Sequence, residues 1–347
     1  MKTVHAVLPA GVDDRARPSG GNTYDRLVCS GLAAAGWDLR EHLVGGDWPQ
    51  PDRAALAQLA DALAAVPDDA LVLADGLIAS AAADVLVPAT RRVRLVVLVH
   101  MPLGVPDGAA RDAERAVLTN AAGIVTTSGW TRDRLVEWYR IDPAQIQVAR
   151  PGVHIAEIAE PSPAGGELLC VGAVAAHKGQ DVLLDAFADV ADLSWRCRLV
   201  GSLDRDPAFV ATLRTAAAAF DDRVEFVGPL TGADLDHAYR TSDLLVLPSR
   251  GETYGMVVAE ALAHAVPVLV SDVGGVREAI GDTGAGLLVP PDDPRALAAA
   301  LRRWLTDADL RARQRGASAD RRATLPGWPD TVQQVAQALA AAGTPIR

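Results

Sequence analysis

Short, continuous apolar segments alternate with helix-like stretches along the whole chain, and this alternation limits the possible folds more than any other feature. In the first half these segments are residues 3–8, 70–73, 95–99 and 123–126. In the second half they are residues 168–171, 197–200, 224–227, 244–247 and 266–270. A strand that is apolar on both faces has to be covered by helices on both sides, as in a parallel sheet. The pattern therefore predicts an α/β fold with parallel sheets.

The alternation stops once and then restarts, which divides the chain into two domains. The break is a stretch rich in proline and glycine at residues 160–166. For 347 residues, two domains of ordinary size are expected. We predict a first Rossmann-like domain over residues 1–155, a linker over 156–166 and a second Rossmann-like domain over 167–329. Two such domains place a ligand cleft between the carboxyl ends of two facing sheets.

Charge and composition exclude several classes of partner. The formal net charge is −11, whereas a protein that binds nucleic acid needs a basic surface. No apolar segment approaches the ~20 residues that span a bilayer, and the N-terminus lacks the apolar core of a signal peptide. Cys29, Cys170 and Cys197 have neither metal-ligand nor disulfide spacing, so reduced thiols are expected. These features predict a cytoplasmic protein without a transmembrane segment or a nucleic-acid partner.

The segment over residues 249–263 carries the most chemical information. It follows the apolar segment 244–247, forms a loop that contains Glu252 and Gly255, and enters a helix at Met256. A helix that begins after a glycine offers free backbone N–H groups and the positive end of its dipole to an anion. Glu260 lies about one turn into this helix. Two carboxylates at this spacing can flank a bound phosphate and accept hydrogen bonds from sugar hydroxyls.

The arrangement Glu252-x7-Glu260 resembles that of retaining nucleotide-sugar glycosyltransferases with the GT-B fold, in particular glycosyltransferase family 4 (glycosyl transferases group 1). Further segments that resemble the family occur in the family's order: Ser19-Gly20-Gly21, Val99-His100-Met101-Pro102, and residues 171–181, 224–228 and 273–278. The resemblance covers nearly the whole chain and is most specific in the second half. It implies two parallel sheets that face each other across a cleft. It also implies that a terminal helix over residues 330–347 crosses back to the first domain.

The resemblance also implies what individual residues do. His100, Lys178 and Glu252 would be catalytic: Lys178 on the diphosphate, Glu252 on a hydroxyl of the donor sugar, and His100 orienting the sugar. Glu260 would bind the ribose of the nucleotide. The donor-binding set is Gly20, Gly21, Ala173, Lys178, Gly228, Pro229, Leu230, Glu252, Tyr254, Gly255, Met256, Val257 and Glu260. No metal ion and no cofactor is expected.

One position departs from the family's pattern. The family commonly has an arginine after the glycine that stands here as Gly172, and both this arginine and the later lysine bind the diphosphate. Here the position is Ala173, which leaves Lys178, one of only two lysines in the chain, alone in this segment. His177, Arg250 or another arginine is expected to supply the second charge. The motif Asp204-Arg205-Asp206 imitates a metal-binding sequence, but we interpret it as a loop.

The implied activity is transfer of a sugar from a nucleoside-diphosphate sugar, linked to UDP or GDP, to a hydroxyl of a small-molecule, glycan or lipid-linked acceptor. Because Ala173 replaces an arginine, a sugar-nucleotide epimerase or an inactive donor-binding subunit with the same fold is an alternative. A two-lobed small-molecule binding protein is a second alternative, although such proteins normally carry an export signal. The sequence alone assigns neither the acceptor nor an oligomeric state.

Overall fold

The computed structural model describes residues 2–104 and 108–343, and these divide into two compact units. The first unit is Met1–Asp13, Gly20–Gly152 and Pro326–Arg347, and the second is Asp14–Ser19 and Val153–Leu325. Within the described residues each unit contains one six-stranded parallel sheet with helices packed against it. The predicted α/β class with parallel sheets is therefore confirmed.

The first unit is built on a sheet with the strand order β2-β1-β3-β4-β5-β6. Its strands are β1 (Thr3–Pro9), β2 (Asp38–Val44), β3 (Leu71–Asp75), β4 (Arg94–Val99), β5 (Gly123–Thr126) and β6 (Ile146–Val148). Its helices are α1 (Gly20–Ala34), α2 (Arg53–Ala64), α3 (Gly76–Ala81), α4 (Ala83–Ala89), α5 (Gly108–Asn120), α6 (Gly129–Tyr139) and, from the end of the chain, α14 (Trp328–Ala342). The central strands are buried almost completely because helices cover both faces.

The second unit has the strand order β12-β11-β10-β7-β8-β9. Its strands are β7 (Glu167–Val171), β8 (Arg196–Val200), β9 (Val224–Gly228), β10 (Leu244–Leu247), β11 (Val268–Ser271) and β12 (Gly286–Val289). Its helices are α7 (Gln180–Ala188), α8 (Pro207–Ala217), α9 (Ala233–Arg240), α10 (Met256–Ala263), α11 (Val276–Ile280), α12 (Pro294–Thr306) and α13 (Ala308–Arg322). The strand order reverses between β7 and β10, and ligands bind in open α/β sheets at the carboxyl ends of such neighbouring strands.

Residues 156–166 are not the separate linker that the sequence predicted, because they pack on the second unit. The amide of Ala159 donates to the carbonyl of His264 at 2.8 Å. The amide of Ser162 donates to the carboxylate of Asp243 at 2.7 Å. Asp243 is nearly inaccessible, so these bonds satisfy a buried charge that the sequence pattern did not reveal.

The terminal helix α14 belongs to the first unit and packs against α1 and the strands β3 to β6. Val332, Val335 and Leu339 are buried on one face of this helix. The helix begins at Trp328, two residues before the predicted start, because Pro329 occupies the first turn, where a missing N–H costs nothing. A Cβ atom added to Gly31 in α1 would lie 2.3 Å from a methyl carbon of Val332.

Loops at the carboxyl edge of the second sheet approach each other closely at glycines. Gly274 has a φ angle of +55°, and a Cβ atom there would lie 1.7 Å from the carbonyl oxygen of Glu252. Gly201 has a φ angle of +152°, and its Cβ would lie 2.0 Å from the carbonyl oxygen of Gly172. Only a residue without a side chain fits these contacts, so the glycines bring the edge loops together.

Gly31→Ala tests the docking of the terminal helix. The added methyl group meets Val332, and overpacking of this kind costs about 1–3 kcal/mol, which exceeds the roughly 1 kcal/mol that alanine contributes to a helix over glycine. We expect Gly31→Ala to lower the free energy of unfolding in urea melts. In the Val332→Ala background the same change should raise it. An equal effect of Gly31→Ala in both backgrounds would contradict the packing described.

Gly274→Ala tests the contact between the edge loops, with Gly284→Ala as the matched control. Both glycines have positive φ angles, +55° and +76°, but a Cβ at Gly284 meets nothing within 4 Å. We expect Gly284→Ala to cost about 1 kcal/mol from backbone strain alone. Gly274→Ala should cost about 3 kcal/mol or more because a backbone oxygen cannot move aside. Equal losses in thermal melts would show that the close approach is unimportant.

Candidate active site

The predicted catalytic segments of the second unit meet at the carboxyl edge of its sheet. Strands β7 and β10 are neighbours, so the loops that follow them lie side by side. The amide of Arg250, in the loop after β10, donates to the carbonyl of His177, in the loop after β7, at 2.9 Å. This bond aligns Lys178 with Glu252, although 74 positions separate them in the sequence.

Lys178 and Glu252 form an ion pair in which Nζ lies 2.7 Å from Oε1. The hydroxyl of Ser249 donates to the same oxygen at 2.8 Å. The lysine side chain is 22% exposed and the glutamate side chain 11% exposed, so the charges are partly shielded yet reachable. Oε2 of Glu252 has no hydrogen-bond partner among the described residues, which leaves one carboxylate oxygen to accept from a ligand.

Helix α10 begins immediately after this pair without a capping side chain. Its N-cap is Gly255 in the left-handed conformation, with a φ angle of +88°. The amides of Met256 and Val257 belong to the first turn, where N–H groups have no partner within a helix. The start of α10 can therefore bind an anion, and Lys178, in the neighbouring loop after β7, is the cation paired with Glu252.

Glu260 lies in α10 and is fixed by an aromatic side chain. The hydroxyl of Tyr239 donates to Oε2 of Glu260 at 2.8 Å. The Tyr239 ring stacks on His264, with centroids 5.2 Å apart. Burial raises the pKa of Glu260, while the hydrogen bond from Tyr239 opposes this shift and the charge of Asp236 adds to it. The carboxyl group is thus held in one orientation and keeps its other oxygen for a ligand.

Two other predicted donor-binding positions, Tyr254 and Gly228, are buried in the second unit. Tyr254 is 1% exposed, and its ring lies in the core of the second unit. The ring therefore packs in an apolar core, and donor binding by Tyr254 stays a prediction. Gly228 is buried, and its carbonyl accepts from the amide of Gly201 at 2.9 Å. Pro229 and Leu230 follow it at the edge of the sheet, with Pro229 exposed.

Arg250 and His177, the two residues named as candidates for the second cation, are both engaged with neighbouring groups. Arg250 donates two hydrogen bonds to Asp181, at 2.9 and 2.8 Å, and also pairs with Asp292 at 2.6 Å. Burial lowers the pKa of His177 below its usual value of 6.5. The positive charges of Lys178 and Arg205 lower it further, and the negative charge of Glu252 offsets only part of the shift. The ring is therefore mainly neutral at pH 7. Arg205 itself is exposed in the loop after β8, in which the carbonyl of Ser202 accepts from the amide of Val174 at 2.9 Å, and its charge acts on His177. It has no ion-pair or hydrogen-bond partner for its side chain in the part of the chain that the structure describes.

In the first unit, the structure brings Gly21 and His100 together. Gly20 and Gly21, both predicted donor-binding residues, are the first two residues of α1. A Cβ on Gly21 would lie 3.3 Å from Cδ2 of His100, so the glycine makes room for the ring. His100 follows β4, and its Nε2 lies 2.7 Å from Oδ1 of Asp25.

Asp25 and Asp75 are functional candidates that the sequence analysis missed. Asp25 is 0% exposed and Asp75 is 2% exposed, although each carries a carboxyl group. Oδ2 of Asp75 lies 3.6 Å from Nε2 of His100, while its Oδ1 caps α3 through the amides of Leu77 and Ile78. A signal was present: Asp75 is a charged residue at the carboxyl end of a strand that is otherwise apolar, and Asp25 lies one helical turn after Gly21.

Among the described residues, no helix combines the length and apolar composition that crossing a bilayer requires. Asp206, from the sequence that imitates a metal site, accepts a hydrogen bond from the amide of Phe209 at the start of α8. Its role is therefore that of a helix cap, in agreement with the predicted loop.

Comparison with known families matches both halves of the chain. Residues 165–307 match the family described as "Glycosyl transferases group 1", and residues 46–157 match "Glycosyltransferase Family 4". A D-inositol 3-phosphate glycosyltransferase of Kineococcus radiotolerans is 35% identical over 259 residues, which cover 66% of this chain and 59% of the relative. One of Streptosporangium roseum is 31% identical over 261 residues, covering 68% of this chain and 59% of the relative. The chain thus spans about three fifths of the length of these relatives.

Solved structures share the fold over nearly the whole chain. Sucrose-phosphate synthase from Thermosynechococcus elongatus has a TM-score of 0.80 at 22% identity, covering 97% of this chain and 98% of that one. Anabaena HepE in complex with UDP-glucose has a TM-score of 0.78 at 17% identity, covering 98% of this chain and 100% of that one. Both halves match glycosyltransferase family models, and the fold is that of GT-B enzymes, so the chain belongs to the glycosyltransferases of family 4 with the GT-B fold.

Proposed function

We propose that this protein is a retaining glycosyltransferase that moves a sugar from a nucleoside-diphosphate sugar to an acceptor hydroxyl without a metal ion. The observation that carries the proposal is the Lys178–Glu252 pair at the uncapped start of α10, with Glu260 fixed in the same helix. An anion-binding helix start and two carboxylates with free oxygens are what a sugar diphosphate requires. Names of relatives and the UDP-glucose complex of a structural neighbour support the same class of substrate.

In this proposal the second unit binds the donor. The amides of Met256 and Val257 and the ammonium of Lys178 bind the diphosphate. The free oxygen of Glu260 accepts from the ribose, and the free oxygen of Glu252 accepts from a hydroxyl of the sugar. The base lies at Gly228-Pro229-Leu230, where backbone groups read it. A UDP- or GDP-linked donor fits these groups equally well.

The chemical step breaks the bond between the anomeric carbon and the diphosphate oxygen, and the acceptor oxygen bonds to the anomeric carbon on the same face. The proton of the acceptor hydroxyl passes to the departing diphosphate, so the protein supplies no base. What the protein supplies is charge stabilisation on the leaving group, from Lys178 and the amides of α10. Ser249 and Lys178 both donate to Glu252 and so hold the sugar-binding carboxylate before the substrate arrives.

Arg205 takes the place of the family's missing arginine in this proposal. It is the exposed arginine beside His177 that lacks an ion-pair partner among the described residues, whereas Arg250 is engaged by two carboxylates. Its loop follows β8, the neighbour of β7, so it approaches the diphosphate from the strand next to the one that carries Ala173. This assignment favours an active transferase over an inactive donor-binding subunit.

The proposed activity is tested by incubating the protein with UDP- and GDP-linked sugars and a panel of acceptors that includes D-inositol 3-phosphate. We expect release of nucleotide that depends on the acceptor, a product with the donor's anomeric configuration by NMR, and the same rate in EDTA. Conversion of the donor without an acceptor into an epimer would support the epimerase instead. Tight binding of donor without any turnover would support the donor-binding subunit.

Glu252→Gln and Glu260→Gln should fail in different ways. Glu260→Gln should weaken binding of the nucleoside diphosphate about tenfold, because the ribose loses a charged acceptor. Glu252→Gln should leave that affinity equal or make it tighter, because Lys178 loses its counter-ion, while kcat falls. Calorimetry with nucleotide and kinetics with the sugar nucleotide would measure both. A loss of nucleotide affinity in Glu252→Gln alone would reverse the assigned roles.

Arg205→Gln should weaken binding of UDP or GDP by about five- to tenfold, because one charge-assisted hydrogen bond contributes ~1.5 kcal/mol or more. Binding of the nucleoside without phosphates should not change. Arg196→Gln is the matched control, because Arg196 is exposed on the same strand, β8, at its amino end. Equal weakening in both variants would show that only the overall charge matters.

A further inference from the structure

The first unit contains a buried group of three ionisable side chains, Asp25, Asp75 and His100, contributed by three separate elements. Asp25 lies in α1, Asp75 at the junction of β3 and α3, and His100 directly after β4. The His100 side chain is 13% exposed and the two carboxyl groups are 0% and 3% exposed. Only the histidine can therefore reach a ligand.

The hydrogen bonds of this group leave two atoms without ordinary partners. Nε2 of His100 is bound to Oδ1 of Asp25, and no described residue accepts from its Nδ1. Oδ2 of Asp25 is buried and has no hydrogen-bond donor among the described residues. One oxygen of Asp25, one oxygen of Asp75 and one ring nitrogen of His100 lie within 4.8 Å of one another, so a proton on one of the two carboxyl groups would relieve the repulsion between them. A shared proton would satisfy the orphaned oxygen.

Charge balance favours this arrangement. Two carboxylates and one imidazolium carry a net charge of −1, and burial of an unbalanced charge is costly, so one further proton makes the group neutral. Burial and the charge of Asp25 raise the pKa of Asp75 from 3.8 to about 7. Burial alone lowers the pKa of His100, but the charge and hydrogen bond of Asp25, together with the charge of Asp75, outweigh it and raise the pKa from 6.5 to about 8.

We propose that Asp25 and Asp75 are positioning residues that share one proton between them and hold His100 as an imidazolium, with its Nδ1–H directed to an oxygen of the substrate. Asp25 binds Nε2 and so fixes the ring, and Gly21 leaves the space in which the ring packs. The ring thereby presents a charged donor and not a neutral nitrogen whose tautomer varies. The effect of this arrangement on the reaction rate rests on the proposed sugar transfer, whereas the protonation state of His100 does not.

Other ionisable groups near His100 leave this assignment unchanged. The Tyr24 ring meets His100 edge to face at 5.1 Å, but burial raises its pKa well above the physiological range, and its hydroxyl donates to the carbonyl of Ala149. Burial raises the pKa of Cys29, one turn further along α1, to about 12. Glu114 of α5 accepts from Ser80, from Tyr139 and from the amide of Leu103. Tyr24 and Cys29 are therefore uncharged at pH 7, and Glu114 is committed to other donors.

The pH dependence follows in sign. Asp75 and His100 both have a raised pKa, so each holds its proton more tightly in the folded protein than in the unfolded chain. Their contribution to the free energy of unfolding is therefore present at acidic pH. It declines as the pH rises through about 7 for Asp75 and about 8 for His100. The donor function of Nδ1–H is lost over the upper part of the same range.

The test is an NMR titration of the histidine rings in the full-length protein, labelled with 15N-histidine, with the His100 signal assigned by its absence in His100→Gln. We expect a midpoint of about 8 in the unmodified protein. In Asp25→Asn it should fall by at least about one pH unit, and in Asp75→Asn by less, because the asparagine side chain can still cap α3. Cys29→Ala, a buried change on the same helix, should leave the midpoint unchanged.

Kinetics distinguish positioning from a structural role. At about pH 7.5, kcat/KM of Asp25→Asn should be several-fold below that of the unmodified enzyme, and acidification to about pH 6 should restore much of it by protonating the ring. If kcat/KM of Asp25→Asn is lowered by the same factor at both pH values, Asp25 has only a structural role. A His100 midpoint near 6.5, or one that Asp25→Asn does not move, would overturn the proposal. A midpoint that shifts when zinc is added would overturn it in favour of a metal site.

The proposed function fails independently of this inference. If the enzyme turns over no sugar nucleotide while His100 titrates as expected, the transferase assignment is wrong and the proton-sharing group stands. If turnover occurs but His100 titrates normally and the Asp25→Asn rate has no acid rescue, the group has no such role.

Discussion

Parallel pairing of strands is the constraint on which the rest of this structure depends. All strands of a parallel sheet end at one edge, so residues far apart in sequence meet there once the sheet has formed. Lys178 and Glu252 follow two neighbouring strands of the second sheet, while Asp75 and His100 follow two neighbouring strands of the first. In both units the backbone and side chains that meet at that edge pack closely and need space. Gly21 and Gly274 provide it, because a Cβ at either position would press on a neighbour.

The two candidate groups use electrostatics in opposite ways. The Lys178–Glu252 pair lies where water still reaches both side chains, so each partner is available to exchange the other for a ligand of the same charge. The group around His100 is almost closed, and its charges balance within it by retaining protons. The first arrangement suits reversible binding of an anion. The second suits the maintenance of one protonation state through many turnovers.

What could be predicted from the sequence depended on distance along the chain. The loop and helix that hold Glu252, Gly255 and Glu260 are contiguous, so their motif was recognisable, and the structure places Lys178 against Glu252. Asp25 and Asp75 were missed because His100, which both approach, lies far from each along the chain; only the meeting of α1, β3 and β4 brings them together. The burial of Tyr254 was not predicted, because sequence does not show whether an aromatic ring beside a motif points into the core. Arg205 was not predicted as a site residue, because its segment was interpreted only as a loop. That it has no carboxylate partner among the described residues is visible only in the structure.

The position of α14 bears on the order in which the chain can fold as it is synthesised. The strands of the first unit emerge from the ribosome before those of the second, but the helix that covers one side of β3 to β6 is made only after the second unit. Until residues 326–347 appear, apolar side chains beneath α14 lack their native cover. Domains that form during synthesis normally fold as complete units in order. Here the second unit can be complete before the first, because the first unit lacks one of its covering helices until residues 326–347 have been made.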